Sequence, residues 1–134
     1  MGDELVAKIP NGLNTALYSS SLNSLRLLHV IFAKIDYMIY MVQDDKNIEI
    51  SAQEWGNIFQ LKNPWSSLQD GAFKLKSTVF KFRFDLTKEY KMIKEMEYDE
   101  GVLTLSLNTD FLTAAMRDED GEMNPILDLL YGTA

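Results

Sequence analysis

The sequence contains no cysteine, which removes disulfides, thiolate metal sites and cysteine nucleophiles together. Its one histidine is His29, and a single imidazole with no second ligand or carboxylate pair near it reads as structural rather than catalytic or metal-binding. No apolar run approaches the roughly 18 residues that a bilayer-spanning helix needs. The opening MGDELVAKIPNG sets acids ahead of any apolar core and lacks a segment of signal-peptide length. These absences fit a cytoplasmic chain with no membrane partner. Neither a phosphate-cradling glycine loop nor a G-x-S-x-G elbow occurs, and no carboxylate pair has the partner that acid and base roles require. Asp44 and Asp45 are adjacent, but no further ligands follow at EF-hand spacing, so they read as a solvated turn. The chain is therefore expected to be no enzyme and to carry no cofactor or metal.

What is present suits one folded domain. The 134 residues are 46% hydrophobic and 25% charged, enough for a real core but short for two full domains. The most informative stretch runs from Ser51 to Phe84, SAQEWGNIFQLKNPWSSLQDGAFKLKSTVFKFRF. Ser51 can cap a helix, with Glu54 completing a capping box, and Ala52, Trp55, Ile58 and Phe59 fall at helical spacing. Gln60 to Lys62 make a short turn. Asn63 offers a second cap and Pro64 suits the first helical position. Trp65, Leu68, Ala72, Phe73 and Leu75 are the expected buried stripe of this second helix, Lys74, Lys76 and Ser77 its outward residues and Gly71 its weak point. From Val79 the period becomes two, with Val79, Phe80, Phe82 and Phe84 against Lys81, Arg83 and Asp85, so Phe80 to Leu86 is expected to be a strand. Helix, tight turn, helix and strand is the order by which many domains present a second helix to a DNA groove. A plain helical hairpin in an α+β core fits the same pattern.

Elsewhere, residues 1–12 read as an arm or leading strand that Pro10 and Gly12 stop. Ser20 or Ser21 can cap a long helix with Leu22, Leu25, Leu28, Ile31, Phe32, Ile35 and Ile39 on one face, and Leu27, Val30, Met38 and Met41 beside it. Ile48 to Ile50 is a short strand. Tyr90 to Tyr98 and Val102 to Leu107 alternate as two strands joined by Asp99-Glu100-Gly101, where glycine suits a tight hairpin. Asn108 or Thr109 can cap a helix through Phe111, Leu112, Ala115 and Met116. Residues 117–125 read as an acidic loop and Ile126 to Tyr131 as a short apolar helix.

Net charge is −7, awkward for a chain that binds phosphates, but it is unevenly spread. Lys74, Lys76, Lys81, Arg83, Lys88, Lys91 and Lys94 face only Asp85 and Glu89, a segment of +5, whereas Glu95 to the end sums to −9. Exposed lysines and arginines on one face contact a DNA backbone without reading sequence, which makes these seven the candidate backbone-binding residues. The same run also fits an ordinary solvated face.

Several strings, in order, resemble a known family. Asn11 to Tyr18 followed by SLNSLRLLHVIFAKID, with a leucine-rich first helix around Arg26, then IEISAQEWGNIFQL, LQDGAFKLKSTVFKF and VLTLSLNTDFL, are similar to the N-terminal winged-helix domain of the plasmid replication initiator family, the iteron-binding Rep proteins. The resemblance covers most of residues 11–112. It implies an α+β fold: a winged helix with a long N-terminal helix, a helix-turn-helix and an antiparallel β-hairpin wing, filling residues 1–134 as a single domain. It further implies a DNA-replication initiator domain that dimerises and contacts the backbone of double-stranded DNA at a plasmid origin, as a homodimer. In that family a second winged-helix domain follows, opened by a segment that has no counterpart before Ala134, so the chain is expected to be either the first domain alone or a stand-alone relative. The acidity of the chain is the second departure. Together they motivate the alternative, a winged-helix protein-interaction module of phage or mobile-element origin that binds a protein partner through its acidic C-terminal segment, Asp118, Glu119 and Asp120 included.

Overall fold

Helix α1 (Leu22–Lys34) begins where Ser21 caps it, with the Ser21 hydroxyl accepting from the Ser24 N–H and the Ser24 hydroxyl accepting from the Ser21 N–H. The computed structural model describes residues 4–10, 13, 16–35, 47–117 and 127–133. The stretch from 36 to 46, with Met38, Ile39, Met41, Asp44 and Asp45, lies outside the described residues. The inward arc of α1 is Ser24, Leu27, Leu28 and Ile31, flanked by buried Val30 and Phe32. Leu22, expected on that arc, is exposed, because at 100° per residue it stands about 200° from Ser24 around the helix.

Strand β2 (Ile48–Ser51) leads into α2 (Ala52–Phe59), and the expected capping box is there: Ser51 Oγ accepts from Glu54 N–H at 3.0 Å and Glu54 Oε1 from Ser51 N–H at 3.1 Å. Helix α2 ends at Gln60 in left-handed geometry, φ 54°. Helix α3 (Pro64–Ser77) opens on proline as expected, but Asn63 makes no side-chain cap bond, since its φ of −117° and ψ of 69° are not the extended backbone a cap needs.

The interior of α3 is Leu68, Gly71, Ala72 and Leu75. Phe73 is 68% exposed, a correction to the expected stripe. The cause is Gly71, which packs so close to α1 that a Cβ there would stand 2.6 Å from the Asn23 carbonyl oxygen. With that edge turned to α1, Phe73 two residues on points away. Trp65 is only partly buried and meets Tyr98 edge-on at 5.2 Å.

The strands after α3 divide differently from the expected pair. The chain turns at Arg83 and Phe84, so that β3 (Phe80–Phe82) and β4 (Asp85–Tyr90) pair as a hairpin, Phe82 opposite Asp85 and Phe80 opposite Tyr90 with an irregularity between. Phe84 packs back beside the Phe82 ring at 6.3 Å, which is how a turn can keep the alternating pattern of a strand. The next strand, β5 (Ile93–Asp99), starts three residues later than its pattern suggested. It pairs with β6 (Val102–Leu107), which also pairs with β2, giving the antiparallel order β2-β6-β5. The β5–β6 turn is the one expected, Glu100 and Gly101 at φ 49° and 77°, where a glycine relieves the second left-handed position. The Gly101 carbonyl accepts from Ala52 N–H at 2.8 Å, tying the turn to the start of α2.

Helix α4 (Thr109–Ala115) follows as expected, although Asn108 does not cap it; its amide instead donates to the Lys91 carbonyl at 2.8 Å. The segment expected to be a short helix, Ile126 to Tyr131, is a strand wherever it is described: Leu127 to Tyr131 belong to β7 (Leu127–Thr133), paired antiparallel with β1 (Glu4–Pro10). A short apolar run reads equally well as helix or strand, and a partner more than a hundred residues away decides it. Residues 118–126, and so most of the acidic loop, lie outside the described residues. The core joins α1 to the sheet and α4 through Phe32, Ile50, Trp55, Leu68 and an aromatic cluster in which Phe80 and Phe82 meet Phe111 at 5.0 and 5.7 Å.

Candidate nucleic-acid interface

Helix α3 turns Ser66, Gln69, Phe73 and Lys76 outward at intervals of three and four, the spacing of one helical face. Lys74 lies beside that face and is held by Asp70 one turn earlier, Nζ to Oδ1 3.2 Å. Asp70 also accepts from the Asn23 amide at 3.0 Å. That bond and then Lys74 hold the Asp70 carboxyl below its usual range.

The seven candidate cations are spread over four places. Lys74 and Lys76 occupy the last turns of α3. Lys81, Arg83 and Lys88 belong to the β3–β4 hairpin. Lys81 is partly buried, with its backbone bridged to Leu17 in both directions at 2.8 and 3.0 Å; Arg83 is exposed at the turn, and the Lys88 ammonium sits 5.0 Å from the Tyr90 ring centre. At the base of that turn the Asp85 carboxylate accepts from both the N–H and hydroxyl of Thr87, which lowers its pKa. Lys91 is exposed in the link between β4 and β5. Lys94 is the exposed extra residue of an irregularity in β5, beside the exposed carboxylates of Glu95, Glu97, Asp99 and Glu100. The hairpin that completes the β2-β6-β5 sheet is thus acidic, and the basic one is the short β3–β4 hairpin before it.

Two cations outside the sequence-derived set share a groove with Lys74. Arg26 of α1 and Lys62 of the α2–α3 turn line the same groove of about 690 Å³, together with Asn63, Ser66 and Asp70. The Arg26 guanidinium lies 5.0 Å from the Phe59 ring centre and donates to Asn23 Oδ1 at 3.2 Å. Asn23 Oδ1 also accepts from the Ser67 hydroxyl at 3.1 Å, and Ser67 in turn accepts from the indole N–H of Trp55, a fully buried side chain. One polar chain therefore runs from the core at Trp55 to the groove. In the sequence Arg26 marks the leucine-rich first helix of the family resemblance and Lys62 is a single charge in a turn, so neither belongs to the basic run; that Arg26 shares a groove with Lys74 depends on how α1 crosses α3.

His29 is partly buried in α1, and burial lowers its pKa, as suits a structural imidazole. Among the described residues, no helix is long and apolar enough to cross a membrane. Residues 6–117, most of the chain, match the family model described as initiator replication protein, WH1. No curated protein matches the chain.

Proposed function

The chain belongs to the initiator replication protein family through its WH1 domain, and from that premise we propose that it dimerises and contacts the backbone of double-stranded DNA at a plasmid origin in the cytoplasm. The role is binding, not catalysis. The observation that supports it is the basic β3–β4 hairpin, which follows α3 directly in the chain and carries Lys81, Arg83 and Lys88. Such cations fix a domain on the phosphates without reading bases. Exposed apolar surface, the Phe73 ring above all, is what the chain offers to a second copy.

Titration of a labelled duplex over a series of salt concentrations tests the reading. Lys81→Gln with Arg83→Gln should weaken binding equally for unrelated sequences and flatten the salt dependence by about one unit of slope for each cation removed. A wild-type chain with no salt-dependent binding at low salt would overturn it.

A second reading draws on the acidic β5–β6 hairpin, where Glu95, Glu97, Asp99 and Glu100 are all exposed. These carboxylates suit a basic surface on a protein partner and repel phosphate. A stable complex at physiological salt, lost when they are neutralised, is its mark.

A further inference from the structure

We propose that the groove between α1 and the α2–α3 turn is a second phosphodiester-binding site, in which Arg26, Lys62 and Lys74 hold the DNA backbone and Asp70 acts as an internal counter-ion that the phosphate displaces. This rests on the DNA-binding reading above, but it adds Arg26 and Lys62, which the basic segment from Lys74 to Lys94 does not contain.

Three cations face one groove with a single carboxylate among them. Arg26 is already oriented: the Phe59 ring supports its guanidinium and Asn23 takes one N–H, and among the described residues its other donors have no partner. A planar guanidinium fixed in this way matches a phosphate and loses less freedom on binding than a loose side chain. Lys62 is exposed in the turn and makes no ion pair among the described residues. Lys74 is engaged with Asp70 at the groove's edge. Such an exposed pair is weak, so a diester oxygen entering the groove can take over Lys74 while Asn23 keeps its bond to Asp70. The groove also reaches the start of α3, where Ser66 and Ser67 line it.

The arrangement predicts opposite effects at neighbouring positions, which loss of folding cannot imitate. A labelled duplex of arbitrary sequence is titrated at several salt concentrations with wild type, Arg26→Gln, Arg26→Lys, Lys62→Gln, Asp70→Asn and, as a control for net charge, Glu49→Gln, an exposed carboxylate of β2 outside the groove. Arg26→Gln and Lys62→Gln should each lower the salt slope by about 0.9, and Arg26→Lys should restore most of the slope. Asp70→Asn keeps an acceptor for Asn23 but removes the counter-ion, so it should tighten binding severalfold and more than Glu49→Gln does. If the wild type binds with a steep salt dependence but Arg26→Gln and Lys62→Gln keep its slope, or Asp70→Asn behaves as Glu49→Gln, the groove is not a phosphate site and the proposed function stands without it. If the wild type shows no salt-dependent binding, both fall.

Discussion

Gly71 of α3 and Asn23 of α1 meet without room for a side chain, the glycine's absent Cβ falling 2.6 Å from the Asn23 carbonyl oxygen and 3.0 Å from its carbon. Alanine gains about 1 kcal/mol over glycine in a helix interior, yet here the obstacle is backbone and cannot swing aside. Gly71→Ala should therefore destabilise the fold by about 1–3 kcal/mol, the usual range for forced overpacking, by separating α1 from α3 and straining the Asn23–Asp70 bond. Urea unfolding of the two proteins measures it, and a stabilised variant would show that the helices part freely.

Ser51 holds the start of the helix-turn-helix through its box with Glu54, and Glu54 also pairs with Lys34 at 3.0 Å. Ser51→Ala should cost about 1 kcal/mol, as the loss of an N-cap usually does. Glu54→Gln retains a side-chain acceptor for the Ser51 N–H and loses only the half-exposed ion pair, so its cost should stay below about 1 kcal/mol. Equal losses for the two changes would mean that the ion pair, not the box, fixes the junction.

His29 supplies a pH signature. Burial lowers its pKa in the fold from the ordinary 6.5, so the unfolded chain takes up its proton first as the pH falls. The His29 contribution is then complete above pH 6.5 and declines as the pH drops from there toward the lower folded value, where it levels off. His29→Gln should flatten the pH dependence of unfolding free energy in that window while leaving the more acidic limb, where Asp70 and Asp85 titrate, as it was. Parallel pH profiles for the two proteins would assign the slope elsewhere.

Phe73 and Phe82 are both phenylalanines of the informative stretch, one 68% and the other 1% exposed. Phe82→Ala should cost about 3–5 kcal/mol, because its ring packs on Phe84, Tyr90 and Phe111. Phe73→Ser should change stability by no more than about 0.5 kcal/mol. It should instead lower self-association in sedimentation at micromolar concentration, and an unchanged sedimentation profile would remove Phe73 from the dimer surface.

Much of this protein was legible locally. Ser51 and Glu54, Pro64, and the Glu100-Gly101 turn each act within a few residues, so capping chemistry, the fixed φ of proline and the left-handed freedom of glycine specify both helix starts and one hairpin. The order of strings was enough to suggest the replication initiator family. Tertiary structure decided which arc of each helix faces inward, because the arc depends on the neighbour: Gly71 against Asn23 rotates Phe73 out, and Ser24, not Leu22, faces in. It decided that FKFRF folds back on itself, since Phe84 satisfies the same alternation from a turn, and that Leu127–Thr133 is a strand, since β1 supplies its partner. It also gathered Arg26, Lys62 and Lys74 around one groove. Arg26 and Lys62 stand apart from the basic run that contains Lys74, so a reading of charge runs misses them, and only the crossing of α1 over α3 sets Arg26 at the same groove.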